Sequence, residues 1–116
     1  MVSMEKQGKT LVVSPQGELD HYSAERMRAQ VDAAFEKSPC IHMVMDFGQV
    51  SFMDSSGIGM IIGRYKHAEK RGGRMGLSNM NDEMAKLFTL SGLAKIITRY
   101  TTTEEALQSL NGGDAQ

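Results

Sequence analysis

The segment SFMDSSGIGMIIGRYK, residues 51–66, joins an apolar run to a helical pattern through a short polar turn. Apolar residues recur after the turn at the three- to four-residue spacing of one helix face, which predicts a helix over residues 57 to about 70. Asp54, Ser55 and Ser56 stand together at the turn, although capping the helix requires only one such side chain, for which Asp54 and Ser55 are the candidates. The segment therefore predicts a strand-to-helix junction, and its surplus of polar residues hints at a function.

Strand-like and helical segments alternate along the chain on both sides of this junction. The dense apolar run CIHMVMDF, residues 40–47, predicts a central strand covered on both faces. The remaining pattern predicts, in chain order, a hairpin over residues 1–15, a polar loop over 17–21, a helix capped by Ser23 and ending near Lys37, a strand over 74–78, a helix over 81–91, a strand over 94–100 and a last helix capped by Thr102. We therefore predict one α/β domain over residues 1–116, a central sheet with helices packed on it, and a frayed tail over residues 111–116.

Composition and charge limit the kinds of partner that the protein can have. The chain has 116 residues, of which 41% are hydrophobic, and its 13 basic and 14 acidic residues give a net charge of −1. That balance gives no electrostatic footprint for nucleic acid or for an anionic membrane. No window approaches the roughly 20 apolar residues of a membrane span, and the N-terminus lacks the apolar core of a secretion signal. We therefore expect a cytoplasmic protein that binds neither nucleic acid nor membrane.

Motifs for catalysis, cofactors and metals fail on spacing. A hydrolase elbow requires Gly-x-Ser-x-Gly, but Met53 stands at the position of the first glycine. A Gly-Lys-Ser/Thr phosphate loop is absent, and the glycines of residues 57–63 miss the dinucleotide spacing by one residue. Cys40, the only cysteine, alternates with His42 on one strand face, but two ligands do not make a metal site. We therefore expect no enzyme activity, no cofactor and no metal.

The residues leave a phosphorylation site open at two places. A helix start such as that after Asp54 presents unpaired N–H groups and the positive end of the helix dipole, so it tolerates an anion. A phosphate on a serine there would add about −1.5 to −2 charges and could change what the surface binds. Asp46, late in the predicted central strand, is the alternative, as the acceptor of a receiver-like domain. That fold also requires an acidic pair after its first strand and a lysine after its last, and neither is clearly present.

Three motifs of this chain closely resemble those of one protein family. They are GELDHYSAE at residues 17–25, FMDSSGIGMIIGRYK at 52–66 and LFTLSGLAKII at 87–97. In sequence and spacing they resemble the anti-sigma factor antagonists of the STAS family. The resemblance implies a STAS fold, with a mixed sheet of four to five strands and helices packed mainly on one face. The GRYK that ends the second motif resembles the sporulation branch, which acts in sigma-F control, whereas the general stress branch differs there and usually carries Thr in place of Ser56.

What the resemblance implies is a switch and not a catalyst. The unmodified protein would bind an anti-sigma factor that is also a serine kinase, and so release the sigma factor. That kinase would use ATP to phosphorylate Ser55, the first serine of Asp-Ser-Ser-Gly, and a serine phosphatase would reverse the step. The implied partner surface comprises Glu18, Asp20, His21, Asp54, Ser56, Gly57, Ile58 and Gly59. A general stress-response antagonist, a receiver-like domain using Asp46 and a nucleotide-binding STAS module remain the alternatives.

Overall fold

The computed structural model describes residues 1–112, which fold around a five-stranded sheet. The strands are β1 (Val2–Gln7), β2 (Thr10–Pro15), β3 (Gly17–Leu19), β4 (His42–Asp46), β5 (Val50–Met53), β6 (Met75–Ser78) and β7 (Thr98–Tyr100). The α-helices are α1 (His21–Lys37), α2 (Ser55–Lys70), α3 (Asp82–Leu90) and α4 (Thr103–Leu107), with a 3-10 turn at Leu93–Lys95 and a π-helical turn at Gln108–Gly112. The main sheet has the order β1-β2-β4-β6-β7, antiparallel between β1 and β2 and parallel elsewhere. The mixed five-stranded sheet that the family resemblance implies is confirmed.

Strand β4 lies at the centre of the main sheet and is covered on both faces. Met43 and Met45 point to one face and are fully buried in a core shared with α1, α2 and α3. Val44 points to the other face, where it packs with Ala106 and Leu110 of the C-terminal helical turns. The central strand predicted from CIHMVMDF is therefore confirmed, and three of the four α-helices lie on one face of the sheet.

The last described turn is fastened to the hairpin of β1 and β2. The Asn111 side chain accepts a hydrogen bond from Thr10 Oγ1 (2.8 Å) and donates one to the carbonyl of Gln7 (3.0 Å). Asn111 and Gly112 therefore belong to the folded domain, although the sequence pattern predicts a frayed tail from residue 111. Residues 113–116, the rest of that tail, lie outside the described residues.

Both long helices begin earlier than their patterns predict. Helix α1 begins at His21, because Asp20 and not Ser23 is its N-cap. Ser23 lies in the first turn, where its hydroxyl accepts a hydrogen bond from the Asp20 amide (3.0 Å). Helix α2 begins at Ser55 rather than at Gly57, and its N-cap is Asp54, one of the two predicted candidates. Because aspartate caps a first turn as well as serine does, apolar periodicity alone could not place either start.

Two short segments also differ from their predictions. Strand β3 occupies Gly17–Leu19, where the pattern predicts a polar loop, since a three-residue strand carries almost no periodicity of its own. The strand predicted over 94–100 is reduced to Thr98–Tyr100. Gly92, with φ of +84°, follows the end of α3, and the chain then makes a 3-10 turn that buries Leu93. The turn uses the residues that the pattern predicts as the first half of the strand.

Candidate functional site

The site lies where α1 and α2 begin side by side. Strands β3 and β5 pair in parallel in a separate two-stranded sheet, with Leu19 opposite Met53. The residues that follow this pair, Asp20 and Asp54, are the N-caps of α1 and α2. The Asp54 amide also donates to the Leu19 carbonyl at 3.4 Å. The short sheet therefore places two capped helix N-termini next to each other, although their sequences are more than thirty residues apart.

The start of α1 is closed by a reciprocal capping box. Asp20 Oδ1 accepts a hydrogen bond from the Ser23 amide at 3.0 Å, and Ser23 Oγ accepts one from the Asp20 amide at 3.0 Å. The Ser23 hydroxyl also donates to the Glu18 carbonyl at 2.6 Å. Hydrogen bonds from the Ser23 amide first, and then from its hydroxyl, lower the pKa of the Asp20 carboxyl below its ordinary value of 3.8. Asp20 is therefore a fixed negative charge at neutral pH.

The start of α2 has a simpler cap and leaves its serines unengaged. Asp54 Oδ1 accepts the Ser56 amide at 2.8 Å, and the Asp54 carbonyl accepts the Gly57 amide at 3.0 Å. Neither the Ser55 nor the Ser56 hydroxyl makes a hydrogen bond to another described residue. Ser55, the first residue of the helix, is exposed, whereas Ser56 is half-buried. Of the three adjacent polar residues, Asp54 is the cap and Ser55 offers the accessible hydroxyl.

A groove of about 310 Å³ separates the two helix starts. Its walls are His21, Ala24, Glu25 and Arg28 from α1, and Ser56, Gly59 and Met60 from α2. Gly59 is exposed, and a Cβ added there would meet no atom within 4 Å. His21 is also exposed and makes an edge-to-face contact with the Tyr22 ring, with the centroids 5.5 Å apart. The site therefore has an open lateral wall beside Ser56.

Two of the residues that the resemblance places on the partner surface are buried. A Cβ at Gly57 would collide with the Met53 side chain and lie 3.2 Å from Leu19 Cδ2. Ile58 is only 9% exposed and packs into the main core. These two residues therefore hold α2 against β3 and β5 from beneath. The predicted surface that reaches solvent consists of Glu18, Asp20, His21, Asp54, Ser55, Ser56 and Gly59, with Asp20, Asp54 and Ser56 half-buried.

An ion pair behind the groove ties α1 to α2; its arginine is buried and its aspartate side chain is 29% exposed. Arg64, 3% exposed, lies 2.8 Å from Asp32 through Nε and Oδ1, and its Nη2 donates to Asp32 Oδ2 at 3.1 Å. Arg64 Nη1 also donates to the Met60 carbonyl at 3.3 Å, and His67 Nδ1 lies 3.4 Å from Asp32 Oδ1. Sequence reasoning missed this pair. The available signal was an arginine on the buried stripe of α2, three residues after Ile61.

The other candidate residues have structural contacts. Asp46 Oδ1 accepts hydrogen bonds from the Gly48 amide and from Asn79 Nδ2, both at 2.9 Å. Cys40 and His42 are buried, and His42 Nδ1 accepts the Arg74 amide at 2.9 Å. Among residues 1–112, no group of three His, Cys, Asp or Glu side chains could hold a metal ion. No helix in that range is long and apolar enough to cross a membrane.

Comparison with known sequences gives one family. The chain matches the model of the STAS domain over residues 1–106. An anti-sigma F factor antagonist of Paenibacillus polymyxa is 38% identical over 109 residues, which cover 94% of this chain and 93% of that protein. The anti-sigma-B factor antagonist of Bacillus subtilis strain 168 is 30% identical, over 92% of this chain and 96% of its own.

Comparison with solved structures agrees with the sequence match. The anti-sigma factor antagonist SpoIIAA in its unphosphorylated form has a TM-score of 0.83 at 34% identity, and the match covers 97% of each chain. The phosphorylated form of SpoIIAA, a Bacillus cell-fate determinant, has a TM-score of 0.71 at 35% identity, over 92% of this chain and 96% of that one. The paired strands, the two capped helix starts and these matches lead to one conclusion: the chain belongs to the STAS domain family, among its anti-sigma factor antagonists.

Proposed function

We propose that the unphosphorylated protein binds an anti-sigma factor that is also a serine kinase, and that phosphorylation of Ser55 ends this binding. The observation that carries the proposal is the exposed Ser55 hydroxyl, which stands unengaged at the start of α2 beside a second capped helix start. Release of the anti-sigma factor's own target, the sigma factor, is the output of binding. A serine phosphatase resets the switch, and the protein itself carries out no catalysis.

The local charges support an electrostatic mechanism for the switch. Asp54 directly precedes Ser55, and Asp20 is the equivalent N-cap of α1, directly after the neighbouring strand β3. Asp54 already accepts the Ser56 and Gly57 amides, so few donors of the first turn are left for a phosphate. Adding about −1.5 to −2 charges at Ser55 therefore builds an anionic patch in place of a neutral hydroxyl. A partner surface that fits the hydroxyl closely then has to bury an unpaired dianion, which opposes binding.

The same position leaves the fold of the protein unchanged. The positive end of the α2 dipole lies at Ser55, so a negative group there stabilises the helix by a few tenths to about 1 kcal/mol. Ser55 is exposed, and a phosphate on it does not have to enter the core. We therefore expect the phosphorylated and unphosphorylated proteins to have the same backbone conformation. A rearranged chain around Ser55 after phosphorylation would favour an allosteric switch instead.

Within the family, we place the protein in the sporulation branch that controls sigma-F. The GRYK at residues 63–66 supports this choice, as does Ser56 at the position where the stress branch usually has Thr. Control of the general stress sigma factor is the alternative. Binding measured in parallel to the anti-sigma factors of both pathways from the same organism separates the two. Tighter binding to the stress-pathway protein would overturn the sporulation assignment and leave the switch itself intact.

The proposal is tested by locating the phosphate. The purified protein is incubated with ATP and each serine-kinase anti-sigma factor of its own organism, and the product is mapped by mass spectrometry. We expect one phosphate on Ser55 in the wild type and in the matched control Ser56→Ala, and none in Ser55→Ala. An acid-labile phosphate that survives Ser55→Ala would contradict the proposal and point to an aspartate such as Asp46. A titration with GTP, in which we expect no saturable binding, addresses the nucleotide-binding alternative.

A further inference from the structure

Large apolar side chains are exposed at five places in residues 1–112, and two of these places flank the site. Tyr22 is 77% exposed and Phe52 is 51% exposed. The other three are Met1, Leu90 and Ile96. Single exposed apolar residues are normal on a protein surface, so exposure alone assigns no role to any of them.

The position of Tyr22 and Phe52 sets them apart from the others. Phe52 stands opposite Glu18 in the pairing of β3 with β5, one residue before the Leu19 and Met53 pair that leads into the two caps. Leu19 and Met53 are buried, so Phe52 and Glu18 occupy the outward face of this short sheet. Tyr22 lies in the first turn of α1, two residues after its cap, and its ring contacts His21. The two aromatic side chains therefore belong to the same two chain reversals as Asp20 and Ser55.

We propose that Tyr22 and Phe52 are the apolar anchors by which the unphosphorylated protein docks on its anti-sigma factor kinase. This inference rests on the proposed function and names the part of the interface that supplies its hydrophobic burial. Aromatic side chains are enriched among the few residues that dominate protein interfaces, because each buries a large rigid surface at little entropic loss. The kinase would present apolar depressions that receive the two rings beside the two helix starts.

The charges around the anchors favour a protein as the occupant. Basic residues are few around the anchors: Arg28 lines the groove and Arg26 lines the same pocket as Tyr22. The two turns contribute the carboxylates of Glu18, Asp20 and Asp54, so the surface is aromatic and carries charges of both signs. An anionic membrane surface attracts clusters of about four to eight basic residues, and two arginines among several carboxylates do not form such a cluster. A protein surface with apolar depressions fits these charges and is the occupant to which we commit.

The anchors also sharpen how phosphorylation would act. Phe52 lies on the strand that leads into Ser55, and Tyr22 lies in the first turn of the neighbouring helix start, so a partner that contacts both rings spans the junction that carries Ser55. A phosphate on Ser55 would then lie in the same contact region as the desolvated rings, where an unpaired charge is unfavourable. Without apolar anchors, the partner could withdraw slightly and leave the phosphate hydrated. The anchors therefore explain why a phosphate on the surface at Ser55 would weaken binding of the anti-sigma factor kinase.

The test uses paired substitutions of equal chemistry inside and outside the site. Tyr22→Gln and Phe52→Thr keep helix and strand propensity and remove the rings. Leu90→Gln and Ile96→Thr are the matched controls, since Leu90 is 79% and Ile96 57% exposed. Each unphosphorylated variant is titrated by calorimetry with the anti-sigma factor kinase loaded with ADP, so that no phosphate is transferred, and each is checked for an unchanged melting temperature.

We expect Tyr22→Gln and Phe52→Thr each to weaken binding by about tenfold or more, the effect of removing an interface anchor, and both controls to bind as the wild type does. Wild-type affinity in both site variants overturns the inference and leaves the proposed function standing. Equal losses in the site variants and in the controls also overturn it, because the effect would not be local. A wild-type protein that binds none of the organism's anti-sigma factor kinases overturns the proposed function and the inference together.

Discussion

The two helix starts that meet at the site are both capped by aspartate, but only α1 has a reciprocal capping box. Asp20 and Asp54 each follow one member of the Leu19 and Met53 pair, and each accepts an amide from the first turn. At α1 the third helical residue is Ser23, whose hydroxyl returns to the cap and completes the box. At α2 the third residue is Gly57, which has no side chain to return. One start is therefore closed and the other is open.

The difference shows how one motif serves stability at one helix and chemistry at the other. Closure at α1 engages the Ser23 hydroxyl, which accepts a hydrogen bond from the Asp20 amide and donates one to the Glu18 carbonyl. The open start at α2 leaves Ser55 unengaged and exposed, as a kinase requires of its substrate hydroxyl. Gly57 also brings α2 close to Met53 and Leu19, so the open start is held rigidly from beneath. An accessible hydroxyl on a fixed helix end is the feature that the proposed switch uses.

The largest expected effect comes from separating the two starts. Asp32→Ala removes the partner of the buried Arg64 guanidinium and leaves that charge uncompensated between α1 and α2. We expect the free energy of unfolding to fall by about 2 to 3 kcal/mol in urea titrations. Glu25→Ala is the control, because its pair with Arg28 is exposed on both sides at 3.6 Å and should change stability by at most about 0.5 kcal/mol. If Asp32→Ala lowered the free energy of unfolding by no more than Glu25→Ala does, the ion pair would not hold the helices together.

Two glycine substitutions on the open start should act in opposite directions. Gly57→Ala forces a Cβ into the Met53 side chain and should lower the free energy of unfolding by about 1 to 3 kcal/mol. Gly59→Ala places its Cβ in open space beside the groove and should raise it by up to about 1 kcal/mol, the difference in helix propensity. Both are measured by thermal and urea unfolding. The same sign for both would refute the distinction between a packed and an open glycine.

The smallest effect is the pH dependence of the closed start. The pKa of Asp20 is lowered in the folded protein by its Ser23 hydrogen bonds, so this carboxyl stabilises the fold above its unfolded pKa. That stabilisation is lost as the pH falls through the lowered value. Asn also caps well but does not titrate. The melting temperature of Asp20→Asn minus that of the wild type should therefore increase as the pH falls from about 5 to about 2.5. A difference that stays constant over that range would show that Asp20 does not titrate as proposed.

The sequence predicted the parts of this comparison that lie within one segment. The periodicity after Asp54 predicted the buried face of α2, and the run at residues 40–47 predicted the central strand, because each pattern is long enough to be read alone. Ser55 came from the resemblance to known motifs, whereas the apolar pattern placed the start of its helix two residues too late, at Gly57. The pairing of Leu19 with Met53 could not be predicted, since strand register between distant segments depends on packing. The Asp32 and Arg64 ion pair joins two helices that are distant in sequence, so the arginine on the buried stripe of α2 was a signal that did not name its partner.

The central claim is that a phosphate on Ser55 removes affinity for the anti-sigma factor kinase without changing the fold. The direct measurement is the dissociation constant of that kinase, loaded with ADP, for the unphosphorylated protein and for the protein phosphorylated at Ser55. We expect the phosphorylated form to bind at least about a hundredfold more weakly, which corresponds to about 3 kcal/mol. Its melting temperature should equal or exceed that of the unphosphorylated form, as the helix dipole requires. Equal dissociation constants for the two forms would contradict the account.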